Sequence, residues 1–315
     1  MKSKYVTVVI PVYNERDNII VLKDAIHQVF SQLNYQYYIL FVDDGSSDGT
    51  SNILYTISCL DECVGFISLS RNFGHQAALK AGLDMASGDC VISMDGDMQH
   101  PPSLLPSLLE QWENGYDVVN TIRQDNSSNH SFKKTSSRLF YKVINSISDF
   151  EIKAGSADFR LMSRKVVDII CSLNENDPFF RGLVNWVGFS QTYVVYTAQE
   201  RFSGSSKYSI KKMFQLAVRG ITSFSVRPLY IAIYPGMLIS ILSLLYIPYA
   251  LYSYLTGTAQ PGWTSLIVTV AFFSGLQLML LGIIGLYLGK VISESKSRPV
   301  YIIKESNLIK KTAVR

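Results

Sequence analysis

Apolar, β-branched runs of strand length recur through the first part of the chain, each stopping at polar or acidic residues before a stretch of helical spacing. This alternation restricts the fold more than any other feature, because strands separated by helical crossovers pair in parallel with right-handed connections. The first run, residues 5–11, is apolar enough for burial on both faces and ends at Val12-Tyr13-Asn14-Glu15. Residues 17–33 then place Ile20, Ala25, Ile26, Val29 and Phe30 at helical intervals. The unit repeats with a strand over 37–42 that stops at Asp43-Asp44-Gly45-Ser46, where Ser47 or Asp48 can cap the next helix. A strand over 64–69 leads through Ser70-Arg71-Asn72-Phe73-Gly74-His75 into a helix over 76–86, and a fourth strand covers 90–94. A fifth strand is expected over 117–121, after a helix over 103–113. The result is a mostly parallel α/β sheet, in which ligands bind outside the carboxyl ends of the strands.

Those ends carry Tyr13, Asn14, Glu15, Asp43, Asp44, Arg71, Asp95 and Asp97, an acidic cluster with one arginine. Carboxylates gathered at one edge repel one another unless a cation is present. Taken by itself, Asp95-Gly96-Asp97 serves equally well as a surface turn or as a pair of oxygen donors for Mg²⁺ or Mn²⁺ shared with substrate phosphates. Neither the Gly-x-Gly-x-x-Gly fingerprint nor a P-loop occurs, which leaves a nucleotide held by carboxylates and a metal.

Charged residues make up 17% of the chain against 48% hydrophobic, and the imbalance is concentrated late. Residues 229–252 and 264–288 contain no charge, and each is long enough to span about 30 Å of hydrocarbon. After them Lys290, Lys296, Arg298, Lys304, Lys310, Lys311 and Arg315 outnumber Glu294 and Glu305. The positive-inside rule then places the N-terminal domain and the tail in the cytoplasm, with the short 253–263 connection outside. Met1-Lys2-Ser3-Lys4 lacks the apolar core of a signal peptide, which agrees with that placement. Ahead of the first run, Ile210, Met213, Phe214, Ala217, Ile221 and Phe224 form one helical face and Lys211, Lys212, Gln215, Arg219 and Thr222 the other, as in an interfacial helix. Cys59, Cys63, Cys90 and Cys171 show no disulfide-framework spacing. Net charge is only +4, and no nucleic-acid partner is expected. The expected organisation is a soluble domain over 1–208, an amphipathic helix over 209–226, a two-helix transmembrane hairpin over 227–290 and a basic tail over 291–315, giving a multi-pass protein of the inner membrane.

Further polar blocks lie between these landmarks. Residues 123–137 read as a loop, followed by a helix over 138–147. Asp158-Phe159-Arg160, Phe180-Arg181-Gly182 and Arg201-Phe202-Ser203-Gly204-Ser205-Ser206-Lys207-Tyr208 set cations beside glycines or apolar segments. Each cation serves as readily as a solvated surface residue; glycines beside cations just before a membrane segment favour an anionic ligand at the bilayer surface.

Together with Val9-Ile10-Pro11-Val12-Tyr13-Asn14-Glu15, Val42-Asp43-Asp44-Gly45-Ser46, Leu69-Ser70-Arg71-Asn72-Phe73-Gly74-His75-Gln76 and Asp95-Gly96-Asp97-Met98-Gln99-His100-Pro101-Pro102, these blocks resemble the polyprenyl-phosphate glycosyltransferases of the dolichyl-phosphate mannose synthase type, in glycosyltransferase family 2. The likeness is greatest to the bacterial bactoprenol glucosyltransferases and undecaprenyl-phosphate aminoarabinose transferases, and it runs over almost the whole chain. Gly96 departs from the alanine of many relatives and leaves the carboxylate pair intact.

The resemblance implies a GT-A-type nucleotide-binding domain that transfers a sugar, with inversion, from a nucleoside-diphosphate sugar to a polyisoprenyl phosphate such as undecaprenyl phosphate. UDP-glucose is the first donor to consider. Carried over by position, Pro11, Tyr13, Glu15, Asp44, Arg71 and Asp95 would hold the nucleotide, and Asp95, Asp97 and Gln99 the metal–diphosphate unit, with Mg²⁺ or Mn²⁺. Asp158 would be a base or an orienting residue beside Arg201 and Lys207 in catalysis, and Arg123, Arg138 and Arg160 would meet the acceptor phosphate. Two other readings stand beside this one. A processive polysaccharide synthase shares the domain, although its Gln-x-x-Arg-Trp string is absent here. The other is a membrane-tethered protein that binds sugar nucleotide or lipid phosphate without turnover. Gly275, Gly282, Gly285 and Gly289 permit close helix packing, which leaves a homo-oligomer open.

Overall fold

The computed structural model describes residues 4–124, 155–197 apart from 174 and 177, and 262–308, with isolated positions between 234 and 256. Among these residues one sheet organises the chain, in the order β7-β5-β6-β4-β1-β2-β3-β8. Strand β1 (Tyr5–Val12) pairs in parallel with β2 (Gln36–Asp43) on one side and with β4 (Cys90–Ser93) on the other, and β2 pairs in parallel with β3 (Val64–Leu69). Helices α1 (Ile19–Phe30), α2 (Thr50–Leu60) and α3 (His75–Met85) make the crossovers. The chain therefore builds outward from β1 to β3 and then returns past β1 to lay down β4. That reversal opens a crevice between the carboxyl ends of β1 and β4, where doubly wound sheets bind ligands.

Alternation along β1 explains its double burial. Val6, Val8, Ile10 and Val12 join one core layer with Phe41, Phe66 and Phe159, whereas Val9 joins the other with Leu40, Val42 and Ile67. At roughly 25 cal/mol per Å² of apolar surface removed from water, burial on both faces stabilises such strands.

The remaining strands depart from the simple parallel series. Strand β5 (Val118–Gln124), which follows α4 (Leu105–Glu113), runs further than expected and takes in Arg123. Between β4 and β5 lies β6 (Ser156–Ser163), antiparallel to both, and β7 (Gln191–Thr197) runs parallel to β5. Helices α5 (Arg164–Ser172) and α6 (Phe180–Trp186) connect β6 to β7. The stretch expected as a basic tail supplies β8 (Ile303–Ser306), which pairs antiparallel with β3 and covers that edge.

Helix α7 (Trp263–Ser295) contains the second charge-free run. Its candidate span, Phe272–Ser295, has a mean hydropathy of 1.8 and none of it is buried against protein. By length and composition it is the one helix among the described residues able to cross a membrane. The first charge-free run, the amphipathic helix expected over 209–226, and the loop and helix expected over 123–147 lie almost wholly outside the described residues.

Candidate active site

Hydrogen bonds lace the loops at the strand ends into one rim. Asn14, in the left-handed region at φ +55°, donates its N–H to Ser46 Oγ at 2.9 Å and accepts the Ser47 N–H on Oδ1 at 2.8 Å. Asp48 accepts the N–H of Arg16 and of Thr50, which joins the β1 loop to the start of α2. Asp43 is fully buried and takes the Ser46 N–H together with the hydroxyls of Ser51 and Ser68. Asp44 accepts the N–H groups of Phe73 and Gly74, one on each oxygen, at 2.7 and 2.9 Å. Burial raises the Asp44 pKa, and those two hydrogen bonds offset part of the rise. Asp44 thus fastens the end of β2 to the start of α3, a task the sequence did not disclose.

Gly45 makes the tight approach possible. Its φ is +71°, and an added Cβ would sit 2.6 Å from the carbonyl carbon of Arg71. Gly45→Ala is expected to cost about 2 kcal/mol or more, from left-handed strain and displacement of the Arg71 loop, read as a lowered thermal midpoint.

A cleft of about 580 Å³ opens inside this rim. Pro11, Tyr13, Glu15, Asp44, Asp95 and Asp97, all expected at the site, line it. Strand β4 ends at Ser93, and Met98 turns the chain at φ +62°, so that Asp97 Oδ1 accepts the Gln99 N–H at 3.2 Å. His100 is buried beneath the pair, stacked on Phe159 with ring centroids 5.1 Å apart. Its Nδ1 accepts the Asp95 N–H at 3.2 Å, which assigns the imidazole proton to Nε2, 3.6 Å from Asp95 Oδ2. His100 therefore fixes the backbone at Asp95.

Beside the carboxylates sits a charge network on β6 and α6. Asp158 accepts Arg160 Nη2 at 3.0 Å on Oδ1, and accepts Arg181 on both oxygens, from Nε at 3.0 Å and from Nη2 at 2.9 Å. His75 Nε2 lies 3.4 Å from Asp95 Oδ1 and 3.9 Å from Asp158 Oδ2, bridging the two groups of acids. Burial alone would raise the Asp158 pKa, but the charge and hydrogen bonds of Arg181, aided by Arg160, hold it well below the usual carboxylate range. A carboxylate so held is a weak base.

Several expected site residues stand elsewhere. Arg160 is 2% exposed and donates to the carbonyls of Ala157 and Phe180 as well as to Asp158, so it does not reach an acceptor in the cleft. Arg181 lines the cleft in its place, from a motif that the sequence flagged without a role. Gln99 is not on the cleft wall, because its amide oxygen accepts Arg123 Nη1 at 2.9 Å. Arg71 folds over Phe73, 4.0 Å from the ring centroid, and donates to the Asn72 carbonyl, also off the cleft wall. Arg138, Arg201 and Lys207 lie outside the described residues.

Among the described residues no group of three or more metal-binding side chains converges. Two cleft-facing carboxylates suit a cation that draws its remaining oxygens from a diphosphate and water, the usual division for Mg²⁺, and the donor set fits that use.

The glycosyl transferase family 2 profile matches residues 7–170. A glycosyltransferase of Bacillus subtilis, YkcC, is 44% identical over 301 residues, covering 95% of this chain and 93% of that protein. The SfII prophage-derived bactoprenol glucosyl transferase of Shigella flexneri is 40% identical over 303 residues, covering 96% and 98%. Among solved structures, the mannosyl-3-phosphoglycerate synthase of Rubrobacter xylanophilus matches at a TM-score of 0.47 and 18% identity, over 70% of this chain and 73% of that one, too distant to bear on the chemistry.

Proposed function

This chain belongs to glycosyl transferase family 2, and from that premise we propose that it transfers glucose from a nucleoside diphosphate, UDP-glucose first, to the phosphate of a polyprenyl lipid, with inversion at the anomeric carbon. The observation that carries this reading is one cleft lined by both the Asp95–Asp97 pair and Arg181. The bactoprenol glucosyl transferases among its relatives support the acceptor class. Helix α7 supports attachment to the membrane from which such an acceptor comes, and the basic residues after it support a cytoplasmic domain.

Tyr13, 45% exposed on the cleft wall, offers a ring face to the base, and Glu15 a carboxylate to the ribose. Asp95 and Asp97 would hold Mg²⁺ or Mn²⁺, which when bound neutralises charge gathering on the departing diphosphate. An oxygen of the lipid phosphate attacks the anomeric carbon, and the bond from that carbon to the diphosphate oxygen breaks with its electron pair. A phosphate monoester is already anionic at neutral pH, so no strong base is required. In this reading Asp158 is a positioning residue: it sets the plane of Arg181, whose charge reduces repulsion between acceptor and donor.

The direct test supplies purified full-length protein with UDP-glucose, a divalent cation and undecaprenyl phosphate. One UDP should be released per lipid, and mass spectrometry should find a single hexose on each acceptor. Polymer would favour a processive synthase, and failure with every sugar nucleotide would leave a binding protein.

A further inference from the structure

At one end of the cleft Asn176 meets Glu294, 118 residues further along the chain. Both oxygens of Glu294 lie 3.3 Å from the Asn176 backbone N–H, and Oε2 also accepts the Asn176 side-chain amide at 3.0 Å. The same amide donates to the Ser293 carbonyl at 3.0 Å. Glu294 occupies the last turn of α7, where a carboxylate opposes the helix dipole, so helix stability does not account for it. Its contact with Asn176 does.

Beyond α7 the chain stays on the domain. The Tyr301 hydroxyl donates to Asp84 Oδ2 at 2.9 Å, the Ser70 N–H to the Ile302 carbonyl at 2.9 Å, and the Phe66 N–H to Asn307 Oδ1 at 2.8 Å. Val300, between these ties and the helix end, lines the cleft with Asn176, Pro178 and Phe179. The 33 residues of α7 span about 50 Å, against about 30 Å of hydrocarbon, so its C-terminal end can stand clear of a bilayer that the rest crosses. Val291 and Ile292 continue its exposed apolar surface to within two residues of Glu294. A lipid lying along α7 would therefore bring its headgroup to this end of the cleft, where Arg181 supplies positive charge.

We propose that the lip formed by Asn176, Pro178, Phe179 and Val300 is where the lipid-phosphate acceptor enters, and that Glu294 is the positioning residue that keeps this lip in register with α7. The assignment rests on the polyprenyl-phosphate reading above. In vesicles, Glu294→Ala should raise the KM for undecaprenyl phosphate about tenfold, the scale of losing hydrogen bonds to a charged acceptor. Its kcat and the KM for UDP-glucose should stay within about twofold. With geranyl phosphate, which reaches the cleft from water, the KM should change far less, and Glu294→Gln should recover most of the lipid KM because its amide oxygen still accepts. An unchanged KM for the lipid, or equal losses of kcat with both acceptors, would overturn the assignment while leaving the glucosyltransferase reading in place. A wild-type enzyme inactive on both prenyl phosphates would overturn both.

Discussion

Asp97→Asn should lower turnover by about a thousandfold or more, the scale seen when a group that stabilises developing charge is removed. The substitution separates charge from shape. Asp97 Oδ1 accepts the Gln99 N–H, and an asparagine carbonyl oxygen can accept the same bond, so the turn through Met98 persists. What disappears is one of the paired negative charges, Asp95 and Asp97, just beyond the end of β4. The thermal midpoint should then barely move, corresponding to a change within roughly 0.5 kcal/mol, because the turn's hydrogen bond is kept. The check is UDP release across a Mn²⁺ titration beside a melting curve. Wild-type activity in the variant at limiting Mn²⁺ would remove Asp97 from the metal site.

Asp158→Ala should abolish activity and also destabilise the domain. Breaking a buried pair costs about 3–5 kcal/mol when one charge is left behind, and here Arg160, 2% exposed, loses its carboxylate. Arg181, partly exposed, loses the group that fixes its plane, and Arg181→Ala should therefore destabilise less while still impairing turnover. The pH dependence follows from the direction of the shift. The folded pKa of Asp158 lies below the unfolded one, so its stabilisation is complete above the unfolded value of about 3.9 and is lost as pH falls through the folded value. The gap in melting temperature between wild type and Asp158→Ala should accordingly stay constant from pH 8 to 5 and narrow only in more acid solution. A gap that closes between pH 7 and 5 would return Asp158 to the role of a base.

The parallel core was legible because its strands are continuous apolar runs that each stop at a polar end. Strand β6 was not, since along Ala157-Asp158-Phe159-Arg160-Leu161 a carboxylate and a guanidinium occupy buried positions, and charges in a strand ordinarily mark a solvent face. Strand β8 was hidden for a related reason: Ile303-Lys304-Glu305-Ser306 has the composition of a tail and becomes a strand only because the open edge of β3 supplies partners for its backbone. Arg181 stood in a recognised motif, but its reach into the cleft depends on α6 packing beside β6.

The sequence by itself determined the order of the parallel core strands and their crossover helices, the line of carboxylates at their ends and the apolar helix that follows, because each is written in residues close together along the chain. Only the tertiary structure decided which charges face the cleft and which neutralise one another. Asp158 meets Arg181, His75 meets Asp95 and Asn176 meets Glu294 across separations of 20 to 118 residues. Whether a carboxylate binds a ligand, works as a base or locks an arginine is set by its burial and by those distant partners, since desolvation and pairing, not residue type, fix the energy of a charge.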